Sequence, residues 1–246
     1  MGGDIRVLSS VSSTNDIAWA WADAGCPEGT VVLAEEQILG RGRFGRIWSC
    51  PRGQGLLMSV VFRPPDGRVG PAHLTALAAL AVAEAAEALA PLSAAIRWPN
   101  DVTVGTRKLA GILVETRGEG SSPCVLGVGL NVNTRRDEFP DDLRTAATSL
   151  AAEVGEQFGM ERVAAAVLGR LDVRYRDALE GRWPGIVAEW RRRSTLQGAE
   201  LDVESRGETW RGRVVDLDPS EGIVLELPGG ERRAFRAEWT TLVRKG

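Results

Sequence analysis

The middle of the chain contains several short apolar segments in series, with few helical segments between them. Their patterns predict strands at residues 95–98, 102–104, 109–116 and 125–131. Parallel strands need long crossover connections, usually helices, whereas antiparallel strands can follow one another directly. The sequence therefore predicts a mixed or antiparallel sheet and argues against a doubly wound parallel sheet.

Helices are predicted on either side of these strands. Ser12 or Ser13 can cap a helix that ends at Gly25, and strands follow at residues 31–34 and 56–62. An alanine-rich helix at 72–90 carries leucines at near-helical spacing and should pack across the sheet. Two more helices are predicted at about 161–180 and 184–193. The first 194 residues thus form an α+β domain with a mixed or antiparallel sheet flanked by helices.

The pattern changes after residue 194. Short alternating segments at 200–204, 209–216, 222–226, 232–235 and 240–243 are separated by glycine, aspartate and proline turns. Such a segment of about 50 residues is typical of a small β-barrel. We therefore predict two domains, at residues 1–194 and 195–246.

Composition limits the classes of function. The chain has 246 residues, 43% of them apolar, and a net charge of −3, whereas general nucleic-acid binders usually carry a basic excess. Cys26, Cys50 and Cys124 are far apart, which predicts neither a disulfide framework nor a zinc site. The N-terminus has no apolar signal core, and apolar runs are interrupted before about 18 residues. We expect a soluble cytoplasmic protein whose partners include neither nucleic acid nor a membrane.

Residues 40–48 combine three arginines with three glycines, a composition suited to covering an anion. Gly40-x-Gly42-x-x-Gly45 matches a dinucleotide fingerprint, but Pro51 prevents the helix that such a motif must open. A phosphate loop would need Lys and then Ser or Thr after Gly45. The segment is then a mobile cationic loop, and a basic surface turn or an RNA-binding Gly-Arg segment remain alternatives.

Four further motifs lie in the first domain, and two of them also have a purely structural explanation. Capping alone explains Ser13-Thr14-Asn15 at a helix start, and a β-turn explains Trp98-Pro99-Asn100-Asp101. Lys108 enters an otherwise apolar strand in which Gly111 leaves room for a ligand or another backbone. The segment 127–133 likewise places small residues in a strand that ends in amides.

Together, in this order and spacing, these motifs resemble the biotin protein ligases. The resemblance covers roughly residues 8–135 and, more loosely, the C-terminal barrel. It implies a catalytic domain of the biotin/lipoate ligase type, related to class II aminoacyl-tRNA synthetases, followed by an SH3-like barrel. It also implies a reaction in two steps. Biotin and Mg-ATP first give biotinyl-5′-AMP and pyrophosphate, and biotin then passes to a lysine of a biotin carboxyl carrier domain of an acyl-CoA carboxylase.

The resemblance also implies roles for individual residues. Lys108, Arg41 and Arg43 are expected to be catalytic, with Lys108 bridging the biotin carboxylate and the α-phosphate. The residues expected to bind biotin are Ser13, Thr14, Asn15, Gln37, Gly40, Arg41, Gly42, Arg43, Lys108 and Gly111. Those expected to face ATP are Arg43, Arg46, Trp48, Asn100, Asp101, Lys108 and Asn131. ATP and Mg²⁺ are the expected cofactors, and Asp101 is a candidate magnesium ligand.

The sequence departs from the family pattern at two places. Arg97 is found where the family usually has lysine before Trp-Pro-Asn-Asp. The planar guanidinium of arginine is not equivalent to the compact ammonium group of lysine. About a dozen residues precede Ser13, too few for a winged helix-turn-helix module, so operator binding is not expected. The family often forms homodimers. The alternatives are a lipoate or octanoate ligase with the same adenylation chemistry and, more distantly, a non-enzymatic RNA-binding module.

Overall fold

The computed structural model describes residues 1, 3–65, 68–118 and 122–243, and in this part of the chain twelve strands form two sheets. The first sheet contains β1 (Ile5–Leu8), β2 (Val31–Ala34), β3 (Gly55–Phe62), β4 (Ala94–Arg97), β5 (Asp101–Val104), β6 (Arg107–Thr116) and β7 (Cys124–Asn131). The second contains β8 (Glu200–Ser205), β9 (Glu208–Asp218), β10 (Gly222–Glu226), β11 (Arg232–Phe235) and β12 (Thr240–Leu242). The helices are α1 (Thr14–Asp23), α2 (Pro71–Leu89), α3 (Leu150–Val154), α4 (Met160–Leu179) and α5 (Trp183–Arg193).

The first sheet is mixed, as the sequence predicts. Its strands lie in the order β1-β2-β3-β7-β6-β5-β4, and the pair β1 and β2 is parallel while the other neighbours are antiparallel. The sequence did not predict β1. It is an edge strand with Ile5 44% and Val7 67% exposed, so it lacks the buried alternating face on which strand prediction depends.

Helices cover both faces of this sheet, and the alternation of each strand decides which side chains meet them. On one face, Leu126, Val128 and Leu130 of β7 join the core built around α2 and α4. On the other face, Val125 packs with Ala18 and other residues of α1. By the same alternation, residues 127, 129 and 131 of β7 lie on the α1 face. The face of the sheet that α1 only partly covers is therefore free to form a site.

Helix α2 packs across the sheet, which confirms its predicted position. By length and composition alone, it is the one helix in the described ranges that could cross a membrane. Within the protein, 61% of its most apolar window is buried. Its apolar composition is therefore accounted for by its place in the core.

The C-terminal sheet is antiparallel, with the order β11-β10-β9-β8-β12. It is barrel-like but not closed, because no pairing joins β11 to β12 in the described part of the chain. Its inward side chains, among them Val203 and Leu225, belong to the same hydrophobic cluster as α2 and β7. The boundary at 194/195 falls between α5 and β8 and stays a prediction.

Candidate active site

A cavity of about 670 Å³ lies on the α1 face of the first sheet. It brings together nearly all of the predicted site residues, which come from α1, the loop after β2, the turn between β4 and β5, and strands β6 and β7. Those that line it are Ser13, Thr14, Asn15, Gln37, Arg41, Gly42, Arg43, Arg46, Trp48, Asn100, Asp101, Lys108, Gly111 and Asn131. Gly40 does not line it. A Cβ atom at Gly40 would lie 2.4 Å from the carbonyl oxygen of Trp48, so this glycine permits close backbone packing.

Three glycines form the floor of the cavity. Gly111 on β6 is directly paired with Gly129 on β7. Gly127 lies two residues before Gly129 on the same strand. The space above them is used by neighbouring side chains. A Cβ atom added at position 129 would lie 2.5 Å from a ring carbon of Trp48. One added at position 127 would lie 2.5 Å from Oδ1 of Asn15. The small residues therefore let the side chains of Trp48 and Asn15 approach the sheet, whereas the sequence indicated room for a ligand or another backbone.

One end of the cavity is a hydrogen-bonded polar cluster. The backbone N–H and the hydroxyl of Thr14 both lie within hydrogen-bond distance of Gln37 Oε1, at 2.7 and 2.9 Å. Ser59 Oγ lies 2.7 Å from Thr14 Oγ1 and 2.6 Å from Asn15 Oδ1. Ser13 caps α1 and accepts the backbone N–H of Asn15. This end therefore offers hydroxyl and amide groups that can both donate and accept.

Next to this cluster, Arg41 is held between two carboxylates. Its Nε and Nη2 donate to the two oxygens of Glu115 at 2.9 and 3.1 Å, and Nη2 also lies 2.7 Å from Asp16 Oδ1. Burial raises the pKa of Glu115, but the hydrogen bonds from Arg41 and Asn15 outweigh it and keep the pKa below its ordinary value. The hydrogen bond from Arg41 likewise lowers the pKa of Asp16. Both carboxylates are ionised at neutral pH.

Residues 40–48 form a narrow hairpin over the cavity. Gly42 N–H donates to the Arg46 carbonyl at 2.7 Å, and Trp48 N–H donates to the Gly40 carbonyl at 2.9 Å. Arg43 donates to the carbonyl of Ala237, which lies between β11 and β12, and burial lowers the pKa of its guanidinium to about 10. No carboxylate pairs with the exposed Arg46 in the part of the chain that is described. Arg43 and Arg46 thus keep a positive charge without a directly paired anion among the residues that the structure describes.

A second cationic group lies next to Trp48, with Lys108 Nζ 5.4 Å from the centre of its ring. Lys108 Nζ lies 2.6 Å from Asp101 Oδ1, and Arg97 Nη2 donates to Asp101 Oδ2 at 3.0 Å. Two cations and one anion leave a net charge of +1 at this point. The Arg97 fork is thus accommodated by direct pairing with Asp101, its cross-strand neighbour.

Direct binding of magnesium by Asp101 stays a prediction. Both of its oxygens are paired with cations, and no group of three or more His, Cys, Asp or Glu side chains suited to a metal ion occurs among the described residues. A magnesium ion at Asp101 would share these oxygens with Lys108 and Arg97. The donor set therefore does not form a metal site by itself.

Two amides border the cationic group. Asn100 Nδ2 donates to the carbonyl of Ile112 at 2.7 Å, and Asn131 Nδ2 donates to the carbonyl of Thr148 at 2.9 Å. The indole N–H of Trp48 is buried and has no hydrogen-bond partner within the described ranges. A buried donor without an acceptor costs about 1–3 kcal/mol, so an acceptor supplied by a ligand would be favourable here.

Sequence reasoning missed several residues of this site. Ser59 and Glu115 lie in strands, and their sequence positions are typical of ordinary polar strand residues. The position of Asp16 is typical of an acidic residue in the first turn of a helix. Glu115 and Arg41 are 74 positions apart in the sequence, and no local pattern predicts that they pair. Two cavity walls were also missed. They are formed by Phe139, Pro140, Leu143, Ala146 and Ala147, and by Leu196, Leu201, Thr241, Leu242 and Val243.

Comparison with known proteins agrees with this geometry. Residues 7–133 match the biotin/lipoate A/B protein ligase family. The chain is 33% identical over 240 residues to the bifunctional ligase/repressor BirA of Bacillus spizizenii, covering 97% of this chain and 74% of that protein. It is 34% identical over 235 residues to the biotin–[acetyl-CoA-carboxylase] ligase of Mycobacterium tuberculosis, covering 92% and 84% of the two chains.

Among solved structures, the biotin protein ligase from Aquifex aeolicus in complex with biotin and ATP superimposes with a TM-score of 0.86 at 25% identity, covering 99% of this chain and 100% of that one. The resemblance predicted from the motifs is thus confirmed at the level of sequence and of fold. The chain is a ligase that belongs to the biotin/lipoate A/B protein ligase family.

Proposed function

We propose that this ligase uses ATP to convert biotin to biotinyl-5′-AMP and then transfers biotin to a lysine of a biotin carboxyl carrier domain. The observation that carries the proposal is the polarity of one cavity. It has a neutral hydrogen-bonding end at Thr14 and Asn15 and a cationic end at Lys108 and Arg97. On β7, Asn131 lies four positions after Gly127, which is beneath Asn15, and this is a span of about 13 Å. An elongated acid with a polar head fits this arrangement.

The cationic end suits the first step. When a carboxylate oxygen attacks the α-phosphorus of ATP, two anions approach each other and pyrophosphate leaves, so fixed positive charge lowers the barrier. The cluster of Lys108, Arg97 and Asp101 supplies a net +1 at this point, and Arg43 and Arg46 supply further charge from the hairpin. Magnesium would enter with the ATP phosphates, since Mg²⁺ at such sites keeps few protein ligands.

The second step needs an open path to the acyl carbon. The amine of the acceptor lysine attacks this carbon, and AMP leaves with the electron pair of the broken carbon–oxygen bond. Relatives from Mycobacterium tuberculosis and Paracoccus denitrificans are named as biotin–[acetyl-CoA-carboxylase] ligases, which supports a carrier domain of that class as the acceptor. We propose the cytoplasm as the location, where reduced thiols such as Cys26 persist.

The polar end favours biotin over lipoate or octanoate. The ureido ring of biotin carries both N–H donors and a carbonyl acceptor, which can bond to Ser13, Thr14, Asn15 and Gln37. An aliphatic chain end or a dithiolane ring offers no such bonds, so buried polar groups would lie against an apolar surface. Sites built to hydrogen-bond a substrate group discriminate strongly against analogues that lack it.

The function is tested by measuring pyrophosphate release from Mg-ATP with biotin, lipoate or octanoate, each with and without a purified biotin carrier domain. We expect release with biotin, followed by labelling of the carrier. Release with only lipoate or octanoate would transfer the assignment to that substrate. Absence of release with all three acids, together with salt-dependent RNA binding, would overturn the ligase chemistry assigned to this cavity.

A further inference from the structure

Glu115 is the meeting point of three separate elements of the site. It lies on β6, and its Oε2 accepts from Asn15 Nδ2 at 3.0 Å and from Trp19 Nε1 at 3.2 Å on α1. Its two oxygens also accept from Arg41 of the hairpin at 2.9 and 3.1 Å. Three of these four bonds end on Oε2 and one on Oε1, so protein donors fully occupy Oε2. Both oxygens of Glu115 are therefore engaged by donors of the protein itself.

The same bonds decide what Arg41 can do. With Glu115 and Asp16 both ionised, the local charge of this group is −1, so it attracts no phosphate or carboxylate. Much of the hairpin beyond Arg41 is poorly covered, with Phe44 54% and Ile47 85% exposed. Besides its own backbone hydrogen bonds, the hairpin contacts the rest of the protein through three side chains. Arg41 bonds to Glu115, Trp48 packs on the glycine floor, and Arg43 donates to the carbonyl of Ala237.

The hydrogen bond between Asn15 and Glu115 links the Arg41–Glu115 pair to the polar end of the cavity. Asn15 Nδ2 donates to Glu115, while Asn15 Oδ1 accepts from Ser59 Oγ. Glu115 therefore fixes which way the Asn15 amide points, and it does so with the same oxygen that accepts from Arg41 Nη2. Orientation of the polar end and closure of the hairpin depend on one carboxylate.

We propose that Glu115, assisted by Asp16, is a positioning residue that holds the 40–48 hairpin closed through Arg41 and orients Asn15 toward the acid substrate. The proposal deepens the proposed function and rests on it for the identity of the substrate. Arg41 then acts as an anchor of the hairpin, and the charge that faces the phosphates comes from Lys108, Arg43 and Arg46.

The first test uses no substrate and so stands apart from the assigned function. Glu115→Gln replaces an acceptor oxygen with an amide donor that faces existing N–H donors. We expect trypsin to cleave after Arg43 and Arg46 about tenfold faster in this variant, as for loss of one charged hydrogen bond. The matched control is Glu84→Gln, which removes a carboxylate paired with Arg174 between α2 and α4, outside the cavity. Equal cleavage rates in Glu115→Gln and the control would overturn the proposal.

The second test separates positioning from general stability. In Glu115→Gln we expect the KM for biotin and the release rate of biotinyl-AMP to rise about tenfold, with a smaller change in kcat and in the KM for ATP. If Glu115 acts through Arg41, adding Glu115→Gln to Arg41→Ala should change release of the intermediate little further. Fully additive effects in this cycle would exclude action through Arg41. Failure of the wild-type protein to form biotinyl-AMP would instead reject the proposed function, while the protease result would still report on the hairpin.

Discussion

Replacing Gly129 with alanine tests whether Trp48 must lie against the sheet. The added Cβ atom would lie 2.5, 2.7 and 2.9 Å from three ring carbons of Trp48, whereas carbon atoms in contact are about 3.5–4.0 Å apart. One of the two groups must therefore move by about 1 Å. Strand β7 is hydrogen-bonded to β3 and β6 on both sides, so we expect Trp48 and its hairpin to move.

The cost of this movement should appear in activity more than in stability. Overpacking of a well-packed site costs about 1–3 kcal/mol, but an exposed hairpin can relieve it by lifting from the sheet. A displacement of about 1 Å in a positioned group can cost about a hundredfold in rate. We therefore expect kcat/KM for biotin-dependent pyrophosphate release to fall about a hundredfold, with a loss of unfolding free energy below about 1 kcal/mol.

Two further glycines complete this experiment. At Gly111 the added Cβ would lie 3.0 Å from Lys108 Nζ and 3.3 Å from Trp48, so Gly111→Ala should have an intermediate effect because the lysine chain can shift. Gly169 lies on α4, and its added Cβ would meet nothing within 4 Å. Gly169→Ala serves as the control and should stabilise the helix by about 0.5–1 kcal/mol without changing activity. Equal activity of the 129 and 169 variants would refute the proposed contact between Trp48 and the floor.

Three shorter predictions concern the charged groups. Lys108→Ala should lower the rate of biotinyl-AMP formation more than a hundredfold, about 3 kcal/mol, since it removes one preorganised donor; a near-normal single-turnover rate would remove Lys108 from the mechanism. Arg41→Ala should speed release of biotinyl-AMP more than it slows its formation, and unchanged release in a filter-binding chase would contradict the anchor. The pKa of Glu115 is lowered from 4.5, so the pair with Arg41 contributes fully above that pH and is lost as pH falls through the lowered value. Protease protection of the hairpin should therefore be constant from about pH 6 to about pH 9 and decrease only under acid conditions.

Local patterns were sufficient for most of the fold. Strands β2, β10 and β11 were predicted to the residue, because a short apolar or alternating run between turn residues has few other solutions. Helix α3 was not predicted, since its five residues are too few to show a helical period. Edge strand β1 lacks a buried face and gave no signal either.

The site was predictable only as a set of motifs. Glycines at 111, 127 and 129 indicated close approach to the sheet, but not that Trp48 and Asn15 would occupy the space. The charge of Arg41 indicated an anion, and its observed partners are two carboxylates of the protein itself. Which charges pair depends on strand register and on loop closure, and these are set by contacts distant in sequence.

The common core of the two sheets has a consequence for how the protein loses its structure. Val203, Val214 and Leu225 of the C-terminal sheet are fully or almost fully buried in the same cluster as Leu77 and Leu80 of α2. Separating the units would expose apolar surface on both, so neither can melt without destabilising the other. Heating should therefore give one cooperative transition in calorimetry, with equal calorimetric and van't Hoff enthalpies. A chain cut after residue 194 would lose one wall of the cavity and should be prone to aggregation.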